Sequence, residues 1–153
     1  MGFMKLSDAI NGTEGRAYAI IGGVREEMFY LRNIEAKVEK DKAEGKTLGR
    51  RGTQHKAKGW KGSGSANLYY VTTKFRQMML SYIKSGVDTY FDVQIVNEDP
   101  SSSVGIQTVI LRDVNLDSVI MAKLDVDSDF LDEDIDFTFE DIDILDSFNK
   151  PSM

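Results

Sequence analysis

No cysteine occurs in the 153 residues. Disulfides, thiolate metal sites and a cysteine nucleophile are therefore excluded, and the redox compartment leaves no mark on the chain. Histidine is almost as scarce. His55 is the only one, so no histidine metal cluster and no catalytic histidine pair can form within a subunit. No apolar run approaches the ~20 residues that span a bilayer. Met1 to Leu6 lacks a charged region followed by a long apolar stretch, so neither a secretory signal nor membrane binding is expected, and synthesis in the cytoplasm is. What is present is ordinary for a folded chain. With 41% apolar and 29% charged residues, the sequence is expected to build one core, in a single domain over 1–153, and is too hydrophobic for disorder.

The charge is unevenly placed. Net charge is −6, yet 125–146 carries eleven acids and no base. Lys150 brings 125–153 to −10, which leaves 1–124 at +4 (−6 minus −10). Most of that positive charge lies in one stretch, where Lys40, Lys42, Lys46, Arg50, Arg51, Lys56, Lys58 and Lys61 face only Asp41 and Glu44. Such segregation fits head-to-tail self-association, nucleic-acid binding through the basic stretch, or two solvated faces.

Periodicity predicts a mostly β chain. Gly15 to Ile21 reads as a strand, Gly22-Gly23 as a two-residue hairpin turn, and a second strand follows through Met28 to Leu31. Ile34, Ala36 and Val38 alternate with charged residues as a third strand. The alternation then stops. Asp41 to Gly64 holds six glycines and most of the basic charge, and reads as a long arm without structure of its own, ordered only against a neighbour. Ala66 to Val71 is again a strand. Thr72 or Thr73 offers an N-cap to a helix with Phe75, Met78, Met79, Tyr82 and Ile83 on one face, its methionines core filler, and Gly86 ends it. Tyr90 to Val96 alternates as a strand. Ile106 to Val114 and Leu116 to Leu124 read as two strands joined tightly near Asn115. Ile135, Phe137 and Phe139 then alternate with Asp134, Asp136, Thr138 and Glu140, which sets apolar side chains on one face and carboxylates on the other. The expected class is mainly β (α+β), two packed antiparallel sheets in a sandwich or barrel with one flanking amphipathic helix.

Catalytic chemistry finds little support. Gly45-Lys46-Thr47 matches the end of a phosphate-binding loop, but Lys40 stands where another glycine is needed. Asp125, Asp127 and Asp129 resemble the start of a calcium loop, but Phe130 replaces its glycine and the following residues alternate as a strand. Gly62-Ser63-Gly64-Ser65 is out of frame for a nucleophile elbow. No catalytic, metal or cofactor-binding residue is expected, and no cofactor. Arg50, Arg51, Lys56, Lys58, Trp60 and Lys61 mix cations with a stackable ring, as single-strand binders do, although the acidic total is not their usual footprint.

The order of short stretches along the chain resembles one family. Gly12-Thr13-Glu14-Gly15-Arg16, Glu35 through Lys40, Gly49-Arg50-Arg51 with His55-Lys56, and Gly62 through Ala66 running to Val71-Thr72 and Lys74-Phe75 come first. Gly86 through Phe91, Leu111 through Asn115, and Phe137 through Asp141 follow. Over about residues 10 to 143 this is similar to the tail tube proteins of contractile-tailed phages of Gram-positive hosts, particularly PBSX-type elements and related bacteriocin particles. The first hairpin, Ala17 to Asn33, departs from the pattern by being longer. The resemblance implies a non-enzymatic virion protein that forms rings of six, stacked into a tube within a contractile sheath. Its implied partners are itself, the sheath, the tape measure and baseplate proteins, with DNA only as passing cargo, and its destination is the tail or a released tail-like particle. A tube subunit of a type VI-like injection system, or a small nucleic-acid-binding module, are the other readings.

Under the tube reading, Arg50, Arg51, His55, Lys56, Lys58, Trp60 and Lys61 form an inter-subunit arm. Asp132, Glu133, Asp134, Asp136 and Glu140 form an acidic face that meets the arm of a neighbouring ring or lines the lumen.

Overall fold

The computed structural model describes residues 3–28 and 30–151. Its elements are β1 (Gly15–Ile21), β2 (Val24–Glu27), β3 (Leu31–Gly45), β4 (Gln54–Tyr69), α1 (Lys74–Ser85), β5 (Phe91–Glu98), β6 (Ile106–Val119), β7 (Asp132–Phe139) and β8 (Asp141–Asp146). Every strand pairing is antiparallel, in the order β2-β1-β5-β6-β7-β4-β3, with β8 also on β6. Gly22 and Gly23 turn the first hairpin at φ of 59° and 82°, a left-handed pair that matches the twist of the strands. β2 ends at Glu27, short of the expected Met28 to Leu31; Leu31 opens β3, and Phe29 lies outside the described residues.

The two expected sheets are halves of one, folded along β6. The first half of β6 pairs with β5 on one side and β8 on the other, and its second half pairs with β7. Three irregularities line up across the fold. Arg112 and Asp113 of β6 together oppose Asp92 of β5, and Asp113 adopts φ 54° with its N–H donated to the Asp92 carboxylate at 3.2 Å. Beside them the chain breaks between β7 and β8 at Glu140, whose N–H donates to the Arg112 carbonyl at 3.1 Å. A bulge that bends a strand sharply is how a sheet turns a corner. Ile106–Val119 is therefore one kinked strand, where the sequence predicts two joined at Asn115. The halves face each other across one core, with Ala17, Val93 and Leu111 from one and Leu68, Ile135 and Phe137 from the other.

The helix seals this core with its first two turns, through Phe75 and Met78. Phe75 is buried with its ring centroid 6.2 Å from that of Phe91. Met78 and Met79 are half-buried, while Tyr82 and Ile83, expected on the packed face, are 52% and 59% exposed. Thr72 Oγ1 accepts the Lys74 N–H at 3.3 Å, and Gly86, at φ 73°, donates its N–H to the Tyr82 carbonyl.

The largest correction concerns Asp41 to Gly64. This stretch is mostly strand: β3 and β4 pair from Leu31–Leu68 out to Gly45–Gln54, and only 46–53 turns. β4 is bound to β7 over Gly62 to Tyr69, so beyond Gly62 the hairpin projects as a two-stranded ribbon. Its glycines are not all loop residues. Gly62 and Gly64 stand opposite Phe139 and Phe137 on β7, and a Cβ on Gly64 would lie 2.5 Å from the Phe137 ring and from the Glu35 carbonyl. The rings occupy the space that side chains would need. β8 was also missed, because Asp141-Ile142-Asp143-Ile144 reads as part of a solvated acidic run.

At the opposite end, two buried aspartates fasten the N-terminal segment. Asp8 Oδ1 accepts from the Ser103 N–H and hydroxyl at 2.9 and 2.7 Å. Asp99 accepts from the Ser101 hydroxyl and N–H and from the Asn11 N–H. These donors hold both carboxyls below the ordinary 3.8, chiefly the Ser103 N–H at Asp8 and the Ser101 hydroxyl at Asp99.

Two predictions follow from the packing and the clamp. Gly64→Ala should destabilise the fold by about 1–3 kcal/mol through overpacking. Gly59→Ala, whose Cβ meets nothing within 4 Å, should stay within about 0.5 kcal/mol; urea unfolding measures both. Because the folded carboxyls titrate below 3.8, their stabilisation is complete above that value and fades as pH falls through the lower folded one. Asp8→Asn/Asp99→Asn should thus melt lower than wild type at neutral pH, and the gap should narrow below about pH 4. A gap constant across the pH range would deny the charged carboxylates that role.

Candidate assembly surfaces

The ribbon carries the basic residues outward. Arg50 and Arg51 lie in its terminal turn, where the Arg50 N–H donates to the Thr47 carbonyl at 3.3 Å. His55 stands opposite Glu44, its Nδ1 3.9 Å from the carboxylate, and Lys56 stands opposite Ala43. Lys58 is the extra residue of a bulge between the Asp41–Gly59 and Lys42–Ala57 pairs. Trp60, opposite Lys40, leans on Phe139 with ring centroids 6.4 Å apart. Lys61 points to the other face and sits 3.9 Å from Asp41. The structure thus gathers all seven predicted arm residues on one projecting element, and among the described residues neither Arg50 nor Arg51 has an acid within ion-pair distance.

The five predicted acids separate. Asp132 is engaged within the subunit by Arg32 at 3.1 Å, Asn67 at 3.0 Å and Lys123 at 3.3 Å, and the Asn67 amide, then Lys123, hold its carboxyl low. Asp134 accepts from the Asn67 amide at 2.8 Å and Asp136 from the Ser118 hydroxyl at 3.0 Å. With Glu140 these two stay exposed. They share the outer face of the β3-β4-β7 half with Glu35, Lys37, Ser63 and Ser65, a largely polar surface with Tyr69, 42% exposed, at the end of the β4 row. Glu133 leaves the set. It is 1% exposed and ion-paired to Arg76 on α1, whose guanidinium also donates to the Thr72 carbonyl and stacks 4.2 Å from the Tyr70 ring. The phase of the strand carries the signal for this: Glu133 is in step with Ile135, Phe137 and Phe139, hence inward.

Sequence reasoning also missed the amount of apolar surface left uncovered. Leu48 at the ribbon tip, Ile144 on β8, Ile83 on α1 and Leu124, Val126 and Phe130 before β7 are all more than half exposed. Exposed apolar area on this scale marks surfaces that meet other protein. The outer edges of β2, β3 and β8 are likewise unpaired among the described residues.

Residues 2–146 match the family described as phage tail tube protein. Phage-like element PBSX protein XkdM of Bacillus subtilis (strain 168) is 47% identical over 130 residues, covering 85% of this chain and 86% of its own. Among solved structures, a chain of the anti-feeding prophage cap, the tube-terminating cap, aligns with a TM-score of 0.68 at 9% identity over 94% of this chain and 95% of that one. A chain of the sheath–tube complex of the extracellular contractile injection system PVC, in its extended state, aligns at 0.67 and 12% over 91% and 93%. These last two likenesses are of fold.

The buried ion pair yields a stability test. Arg76→Met strands the Glu133 carboxylate and should cost about 3–5 kcal/mol, whereas Arg76→Met with Glu133→Leu should regain most of it. Denaturant unfolding of the two variants checks this, and equal losses in both would contradict it.

Proposed function

The chain belongs to the phage tail tube protein family, and from that premise we propose that it is the tube subunit of a contractile phage tail or phage-tail-like particle. Copies assemble as rings of six that stack into a channel inside the sheath. The observation that carries this reading is the set of open strand edges, above all β3, whose fifteen residues have β4 on one side and, among the described residues, no strand on the other. In a lone monomer such an edge invites aggregation; in a closed ring each edge is paired by the next copy. The polar, acidic outer face of β3, β4 and β7 faces the channel, where carboxylates repel a passing phosphate backbone. The ribbon reaches the adjoining ring, and its cations meet carboxylates there. The role is structural and not enzymatic. Sheath, tape measure and baseplate proteins are its further partners, and it passes from the cytoplasm into the tail.

Arg50→Glu with Arg51→Glu should abolish tube growth at physiological salt and leave the monomer's melting unchanged, because neither residue contributes to the core. Negative-stain microscopy and sedimentation read the first, thermal unfolding the second. Normal tubes from the double reversal would remove the arm's charges from the ring contact. Wild-type protein that stays monomeric even on a purified baseplate would sink the tube reading.

A further inference from the structure

Residues 120–131 connect β6 to β7 without helix or strand, yet contacts within the subunit fix their shape. Lys123 Nζ donates to the Asp132 carbonyl at 2.8 Å, the Asp127 N–H to the Asp125 carboxylate at 3.0 Å, and the Ser128 hydroxyl to the Phe130 carbonyl at 2.6 Å. Phe130 stands edge-on to Tyr69, with ring centroids 6.4 Å apart. On this frame Leu124 and Val126 are 91% and 93% exposed, and Phe130 75%. Asp125, Asp127 and Asp129 are interleaved with them. Among the described residues none of these three acids has a cation within ion-pair distance. The bases beside the connection, Arg32 and Lys123, are both bound to Asp132.

The ribbon tip has the complementary character. Leu48 is fully exposed and has Lys46, Arg50 and Arg51 around it, with no acid in 46–53. Tip and connection lie at opposite ends of one strand. β4 leaves the tip at Gln54 and ends at Tyr69, which pairs with Asp132 where the connection enters β7. Its sixteen residues, at ~3.3 Å each, hold the two roughly 50 Å apart. A copy therefore cannot bring its own tip to its own connection.

We propose that the ribbon tip of one copy docks on the β6–β7 connection of a second copy. Leu48 packs against Leu124, Val126 and Phe130, and the tip arginines reach Asp127 and Asp129. Charge selects this occupant: an apolar patch among unpaired acids meets an apolar residue among unpaired bases. The inference rests on the tube-subunit reading and identifies the acceptor of the arm. Donor and acceptor occupy opposite ends of the same strand, so the contact is heterologous, and each docking leaves a free tip at one end and a free connection at the other.

The absence of cysteine makes the contact directly testable. Leu48→Cys and Val126→Cys proteins, one carrying a tag that changes its size, are mixed, assembled on a purified baseplate and treated with a short thiol-to-thiol crosslinker. A linked heterodimer should appear with the tubes and exceed the product of Leu48→Cys with Ile83→Cys, an exposed site on α1. Leu48→Asp should raise the concentration needed for tube growth by at least about tenfold, the loss of a buried leucine side chain, without altering monomer melting. Asp127→Arg with Asp129→Arg should block growth and likewise leave melting unchanged. The docking would be overturned, with the tube reading left standing, by normal tubes from either variant or by a Leu48–Val126 link no stronger than the control. Val126→Cys protein that links to itself in place of Leu48→Cys would overturn it too. Wild-type protein that forms neither rings nor tubes would overturn both readings.

Discussion

Two phenylalanine rings laid across two glycines join β7 to β4, and much of the molecule is set out from that contact. Phe137 and Phe139 take the volume over Gly64 and Gly62, which draws the strands together without crowding and closes the core on the β4 side. The contact also marks where β4 stops being part of the sheet. Past Gly62 the strand has only β3 as a partner, so the hairpin runs on as a ribbon. The core and the projecting arm share this one arrangement, because Trp60 leans on the same Phe139 ring that covers Gly62.

The acidic C-terminal third is one block in sequence and several environments in space. Glu133 is inside, bound to Arg76. Asp132 is engaged by partners on β3, on β4 and in the connection that precedes β7. Asp134 and Asp136 spread over a flat polar face beside serines and an asparagine, and Asp141, Asp143 and Asp146 line a strand edge. A strand that alternates its faces and then breaks at a corner produces this dispersal. The formal charge of the block therefore overstates the field at any one surface.

Much of the fold was legible from local pattern. The Gly22-Gly23 hairpin, the helix ended by Gly86 and the alternation of β7 all rest on residues within a few positions of one another. What the sequence hid depends on partners distant along the chain. Gly62 and Gly64 look like loop residues until Phe139 and Phe137 are placed beside them. Arg76 carries no local sign of Glu133, and the kink at Asp113 is stabilised by Asp92 on another strand. The basic arm was legible as a feature, since its charge is contiguous in sequence. Its ribbon form was not, because β3 and β4 there alternate charged and small residues with no apolar stripe.

The continuity of the sheet through β6 has a mechanical consequence. Force applied along the ribbon runs parallel to β4, so the eight residue pairs that join β4 to β7 are loaded together in shear and do not peel apart one after another. From β7 the load passes into β6 and around the corner into the β5 and β1 ladders, again through backbone hydrogen bonds. A push or pull delivered at the arm thus reaches the far edge of the subunit along a covalently and hydrogen-bonded route, with the apolar core acting as the stiffener between its two arms.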